Sequence, residues 1–192
     1  MPAPRGELWR VSLEPPNPDV RALVLRARES DARAYAALMR RYEAVAYRLA
    51  LRITGNRQHA EDACQEAFLR AFGALSRFDP QRPFGPWLLK IVANRALTRA
   101  ARRKPEVALA EAEILREPAQ EPEMPAETEL LRAALARLSP LDRAVLALRY
   151  EQGLSVEELA AALGIGESAA KVRLFRARQR LIAVVGNERL EP

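Results

Sequence analysis

The sequence predicts an all-α protein built as two small helical domains joined by a flexible acidic linker. Three observations carry that expectation. Apolar residues recur at helical spacing on both sides of the chain's middle. The middle itself, "PEVALAEAEILREPAQEPEMPAETE" from Pro105 to Glu129, holds four prolines and little periodicity except around Leu109 to Leu115. Charge also changes sign from segment to segment: residues 21–104 carry 18 basic and 7 acidic side chains, residues 105–129 carry 1 and 8, and residues 130–192 carry 10 and 7.

The totals set the outer bounds. The 192 residues hold 31 Lys+Arg against 25 Asp+Glu, a net charge of +6, with 49% hydrophobic and 6% aromatic content. Such a balance fits a helical protein with an anionic partner. A linker this negative avoids the phosphates that basic lobes attract, although an acidic stretch is also soluble for its own sake. Each lobe, roughly 55 to 85 residues, buries only a modest core. One Cys and one His exclude a disulfide framework and a structural zinc site, which points to a reducing cytoplasm. His59 and Cys64 each stand alone and take structural or neutral roles. The opening "MPAPRGELWRVSLEPPNPDV" is Pro-rich and polar, so residues 1–21 read as a flexible tail. No apolar run approaches the ~20 residues of a membrane span, so no membrane insertion is expected. With no carboxylate pair, nucleophile motif or phosphate loop in view, neither catalysis nor a cofactor nor a metal is expected.

In the first lobe, "DARAYAALMRRYEAVAYRLALRITGN" places Tyr35, Leu38, Tyr42, Val45, Leu49 and Ile53 on one stripe, with Asp31 as N-cap and Gly55-Asn56 as the stop. That predicts one long amphipathic helix. Next, "RQHAEDACQEAFLRAFGALSRF" turns Ala60, Ala63, Ala67, Phe68, Phe72 and Leu75 inward and Glu61, Asp62, Gln65, Glu66 and Arg70 outward. Its solvent face is acidic within a basic lobe. A third helix follows "DPQRPFGPW", with Gly85 as cap and Pro86 at the first helical position, running from Trp87 to about Arg103. Trp87 reads as core, and the last turns gather Arg95, Arg99, Arg102, Arg103 and Lys104.

The second lobe contains two short helical patterns meeting at Gly164-Ile165-Gly166. Val156, Leu159, Ala160 and Leu163 form the apolar set of the first, with Ser155 as N-cap, Glu158 three residues on, and Gly164 able to take left-handed angles at the end. Glu167 or Ser168 is expected to cap the second. There Ala170, Leu174, Ala177 and Leu181 share an inward stripe, while Lys171, Val172, Phe175, Arg176 and Gln179 share the opposite half of the wheel. This is the pattern of a helix-turn-helix, whose second helix enters the major groove while arginines grip phosphates. A helical hairpin with a solvated arginine face has the same pattern.

Taken together, "AEDACQEAFLRAF", then "FDPQRPFGPWLLKIVANRALTRAARRK", then "ALARLSPLDRAVLALRYEQGLSVEELAAALGIGESAAKVRLFRARQRL" resemble the bacterial RNA polymerase sigma factors of the extracytoplasmic-function class, over about residues 22 to 182. The resemblance implies a sigma region 2 helical bundle at 22–104, the acidic linker at 105–129, a region 4 helix-turn-helix at 130–185 and a short tail at 186–192. It implies promoter-specific transcription initiation, with core RNA polymerase (its clamp helices and flap), the minus-10 and minus-35 promoter elements and an anti-sigma factor as partners.

Residue by residue, Asp62, Gln65, Glu66 and Phe68 match the family's clamp-docking signature. The loop Asp79 to Phe84 matches the segment that captures a flipped base, where Gln81 and Arg82 supply hydrogen-bonding edges. Asn94, Arg95, Thr98, Arg99 and Arg102 fall where the family engages the minus-10 strand. Ser168, Lys171, Val172, Arg173, Phe175 and Arg176 fall on the minus-35 recognition helix. The linker glutamates Glu111, Glu113, Glu117, Glu121 and Glu123 are expected to meet polymerase rather than DNA, with Pro118 to Ala126 disordered in the free protein. The chain departs from the family at Gly85-Pro86, where Thr commonly precedes the tryptophan, at Thr98, often Asp, at Ala169-Ala170, usually Thr-Val, and at Val172, commonly Ser. A dimeric operator-binding regulator would need only the helix-turn-helix, and an RNA-binding protein would have no use for the acidic helix.

Overall fold

In the computed structural model, which describes residues 18–102 and 126–188, every regular element is helical. Helix α1, Pro18–Arg28, buries Val20, Val24 and Ala27. The expected tail of residues 1–21 therefore ends earlier, because two valines four apart give this segment an inward face and draw it into the lobe. Residues 1–17 lie outside the described residues.

Helix α2, Ala32–Thr54, begins and ends where its capping residues dictate. The Asp31 carboxylate accepts from the Arg33 and Ala34 amides at 2.9 and 3.0 Å, and Gly55 takes φ 66°, ψ 18° while its N–H donates to Leu51 O. The Ala34 amide and then the Arg26 guanidinium hold the Asp31 carboxyl below its usual range. Leu38, Tyr42, Val45, Leu49 and Ile53 are buried as the stripe predicts. Helix α3, Arg57–Ala74, is opened by the Asn56 side chain, which accepts from His59 N at 2.8 Å. It packs a nearly all-alanine seam of Ala60, Ala63, Ala67 and Ala71 against its neighbours, which allows close approach. A single 3-10 turn, Leu75–Arg77, follows.

Helix α4 spans Phe84–Ala101, two residues ahead of the expected Pro86 start, with Pro83 rather than Gly85 in the flanking position. The cause is aromatic packing. Phe84 is buried with Phe78 at 5.7 Å and Tyr42 at 5.4 Å between ring centroids, and Trp87 closes the cluster at 4.7 Å from Phe78. Trp87 thus belongs to the core edge, as expected.

The second lobe comprises α5, Ala126–Ala136, α6, Pro140–Leu146, one widened turn at Ala147–Glu151, α7, Val156–Leu163, and α8, Glu167–Glu188. The acidic linker expected at 105–129 thus ends in helix from Ala126 onward, and its five singled-out glutamates lie outside the described residues. Ser155 and Glu158 form the predicted capping box, and Gly164 ends α7 at φ 67°. The expected cap of α8 is corrected: Glu167 is already helical, and the Gly166 carbonyl accepts the first turn's bond from Ala170 N at 2.9 Å.

The two lobes touch. Val145, Leu148, Leu154 and Leu159 of the second join the same apolar cluster as Leu49, Ile53, Leu88 and Val92 of the first. Polar contacts accompany the packing: Arg143 Nη2 donates to Ile53 O at 2.9 Å, Arg52 Nε meets Glu151 Oε1 at 2.9 Å, and Asn94 Nδ2 donates to Ala162 O at 3.4 Å.

Candidate protein- and nucleic-acid-binding faces

Helix α3 presents a mixed acidic and apolar face. Gln65 is exposed and Asp62 and Glu66 are partly exposed, all on one side of the helix. Phe68 is not part of that surface. At 7% exposure it packs inward, and the Tyr35 hydroxyl donates to its carbonyl oxygen. The apolar surface comes instead from Leu69, 67% exposed, and Phe72, 50% exposed, the latter steadied by a tilted contact with Tyr35 at 4.8 Å. Phe72 was expected in the core. It follows Phe68 by four residues, which rotates it about 40° past the buried arc at 3.6 residues per turn. A wheel drawn on the alanine seam alone carries that signal.

Helix α4 carries the residues expected to meet a single strand. Asn94, Thr98, Arg102, Arg95 and Arg99 follow one another around one side of the helix. Asn94 at one margin is turned toward the Ala162 carbonyl of α7. Thr98 Oγ1 donates back to Asn94 O at 2.7 Å, which satisfies its proton inside the helix. Arg99 at the other margin reaches α3, where its Nη1 meets Asp62 Oδ2 at 2.8 Å and its Nη2 pairs with Glu66. The Arg99 guanidinium holds the Glu66 carboxyl below its usual range, helped by Arg95 and Arg70. Arg102 is exposed at the helix end. In the preceding loop, Asp79 Oδ1 accepts from Gln81 N at 2.9 Å and Asp79 O from Arg82 N at 3.0 Å, a tight turn that leaves both the Gln81 and Arg82 side chains outside.

On α8 the expected division holds. Ala170 and Ala177 are buried and Leu174 and Leu181 half-buried, whereas Ser168, Lys171, Val172, Phe175 and Arg176 are exposed and Arg173 is half-buried. Two arginines near its end serve different purposes. Arg178 is exposed, but Arg180 Nη1 meets Asp142 Oδ2 at 2.6 Å, and Asp142 is only 2% exposed. Arg180 is therefore a strut that fixes α8 on α6, a role that charge counting along the sequence does not separate from DNA contact.

Cys64 is buried on the inner side of α3, and that burial, reinforced by Glu43 and Glu61, pushes its thiol up to about 12. Among the described residues no helix is long and apolar enough to cross a membrane.

A two-lobe helical protein with one acidic-apolar face, one basic face along α4 and a helix-turn-helix has the layout of a factor that holds both a protein partner and DNA. Residues 38–106 match Sigma-70 region 2 and residues 128–181 match Sigma-70 region 4. The chain is 33% identical to the RNA polymerase sigma factor CnrH of Cupriavidus metallidurans, over 86% of this chain and 93% of that one. It is 36% identical to the ECF sigma factor SigL of Mycobacterium tuberculosis, over 78% and 90%. Against SigE of Mycolicibacterium smegmatis it is 35% identical over 75% of this chain but only 58% of that relative's length. The chain belongs to the extracytoplasmic-function family of RNA polymerase sigma factors. Among solved structures it resembles CnrH in complex with the cytosolic domain of CnrY, with TM-score 0.64, 27% identity and coverage of 88% of this chain and 98% of that one. It shares its fold with RpoE of Bartonella quintana in complex with the anti-sigma factor NepR, with TM-score 0.62, 23% identity and coverage of 79% and 96%.

Proposed function

We propose that this sigma factor works in the cytoplasm as a non-catalytic initiation factor through three separate faces. Asp62, Gln65, Glu66, Leu69 and Phe72 dock on core polymerase at a cationic, partly apolar site. Gln81 and Arg82, with Asn94, Arg95, Thr98, Arg99 and Arg102, engage the minus-10 strand. Ser168, Lys171, Val172, Arg173, Phe175 and Arg176 read minus-35 duplex DNA. The observation that carries this reading is the opposition of charge on adjacent helices, acidic and apolar on α3 and basic on α4. A protein that only binds DNA has no use for the acidic face.

Membership of the extracytoplasmic-function family supports control by an anti-sigma factor, for which exposed Val172 and Phe175 offer an apolar contact. The linker glutamates fit a basic channel of polymerase. The deciding experiment adds the purified chain to core polymerase and a promoter library. Promoter-specific transcripts are the expected result, and operator binding that is indifferent to polymerase would replace the reading with that of a dimeric regulator.

A further inference from the structure

The two faces assigned to polymerase and to the single strand are joined by one side chain. Arg99 projects from the strand-facing helix, yet its two terminal nitrogens are taken by Asp62 and Glu66 of the docking helix. The cluster lies at the surface, with side-chain exposure of 29% for Arg99 and 39% for each carboxylate, so a partner can reach it without unfolding anything. Arg95 and Arg70 also act on Glu66, and Arg95 and Arg102 stand one helical turn before and after Arg99 on α4. A nucleic-acid strand drawn to these cations passes within a Debye length, about 8 to 10 Å, of the two carboxylates, each of which opposes its phosphates. The Arg99 Nε is buried without a hydrogen-bond partner in this arrangement, so the pairing does not use the whole guanidinium fork.

We propose that Arg99 is exchanged between the two faces: Asp62 and Glu66 hold it in the free chain, and a cationic surface of polymerase that takes those carboxylates releases it to a strand phosphate. The inference rests on the sigma reading of α3 and α4. It makes polymerase docking a condition for full strand affinity, through a swap of counter-charges on a pair of helices that do not move. The direction follows from charge alone. Neutralising the carboxylates both frees the guanidinium and removes the repulsion, and both changes favour a phosphate. Arg99 is raised in basicity by Glu66 first and Asp62 further, consistent with a guanidinium committed to them in the free state.

The test measures binding of a labelled single strand, selected on the wild-type holoenzyme, to the full chain without polymerase. D62N/E66Q keeps shape and removes both charges, and should bind about three- to tenfold more tightly than wild type. Its salt dependence should steepen by about 0.7, the increment of one extra phosphate contact on single-stranded DNA. Adding R99Q to that pair should return both affinity and slope to near the wild-type values. E29Q/E43Q, which removes the same charge from exposed sites elsewhere on the lobe, should change affinity less than about twofold and leave the slope alone. Equal affinity of D62N/E66Q and wild type overturns the exchange, as does a gain that E29Q/E43Q reproduces or that survives R99Q undiminished. Failure of the wild-type holoenzyme to select any strand would instead overturn the sigma reading of α4 itself.

Discussion

Helices α3 and α8 present outward faces of the same recipe and opposite sign. Each combines two charges, four residues apart on α3 and five on α8, with two exposed apolar side chains: Asp62, Glu66, Leu69 and Phe72 on α3, and Lys171, Val172, Phe175 and Arg176 on α8. They differ in what the charges do before a partner arrives. The α3 carboxylates are bound from the side by Arg99, which fixes their positions, whereas Lys171 and Arg176 extend from the helix into solvent. A held pair presents a fixed shape suited to a protein surface. Extended cations suit a polyanion, where contacts to phosphate need little directional precision and affinity scales with the number of counterions released.

The sharpest way to break this comparison is to reverse the α3 charges. D62K/E66K should lower affinity for core polymerase at least about thirtyfold, the loss of 2 kcal/mol or more that marks an interface hot spot. Duplex binding by α8 should be retained, and unchanged polymerase affinity would remove α3 from the docking face. Folding should survive, because ion pairs this exposed contribute only about 0 to 1 kcal/mol each.

Removing the support beneath the other face tests the same contrast from inside. Leu159→Ala empties a fully buried position of α7 and should cost about 2 to 5 kcal/mol in chemical denaturation. Since Leu159 shares a cluster with Leu88 and Val92, the unfolding of both lobes should shift together, and a transition confined to the second lobe would show that the cores are energetically separate.

Lys171→Ala and Arg176→Ala should weaken minus-35 duplex binding, each lowering the salt slope by about one, without altering polymerase affinity. A change in polymerase binding of equal size would merge the two faces. Ser155→Ala removes one half of the capping box and should cost about 1 kcal/mol by thermal melting. A loss well above that would give Ser155 a further role.

The smallest effect concerns pH. Glu66 in the folded chain has its carboxyl held below the ordinary value of 4.5, so its pairing stabilises above that value and is lost as pH falls through the lowered one. Wild type and E66Q should differ in stability by less than about 1 kcal/mol at neutral pH and converge in acid. A difference that persists in acid would mean that Glu66 acts through packing.

Much of this was legible in the sequence where a local rule decides the outcome. Asp31, Gly55, Ser155 and Gly164 mark helix ends by side-chain chemistry or backbone sign, and the structure puts the ends there. The alternation along α8 separated Ala170 and Ala177 from Lys171 and Phe175 for the same reason. The rest depended on tertiary neighbours. Helix α4 begins at Phe84 because three aromatic side chains converge there, which no local cap predicts. Arg99 and Arg180 look like their neighbouring arginines in the chain, and only the fold shows that carboxylates from distant helices have claimed them.

Cys64 has a consequence beyond its own packing. With the thiol pushed up to about 12 by burial, thiolate is scarce at neutral pH. Thiolate is the form that peroxides, disulfides and electrophiles attack. It is also the chain's single cysteine, so oxidation cannot form an internal disulfide. Buried and largely protonated, Cys64 is a poor target for oxidants, and its sulfur serves the packing of the first lobe rather than the chemistry of its surface.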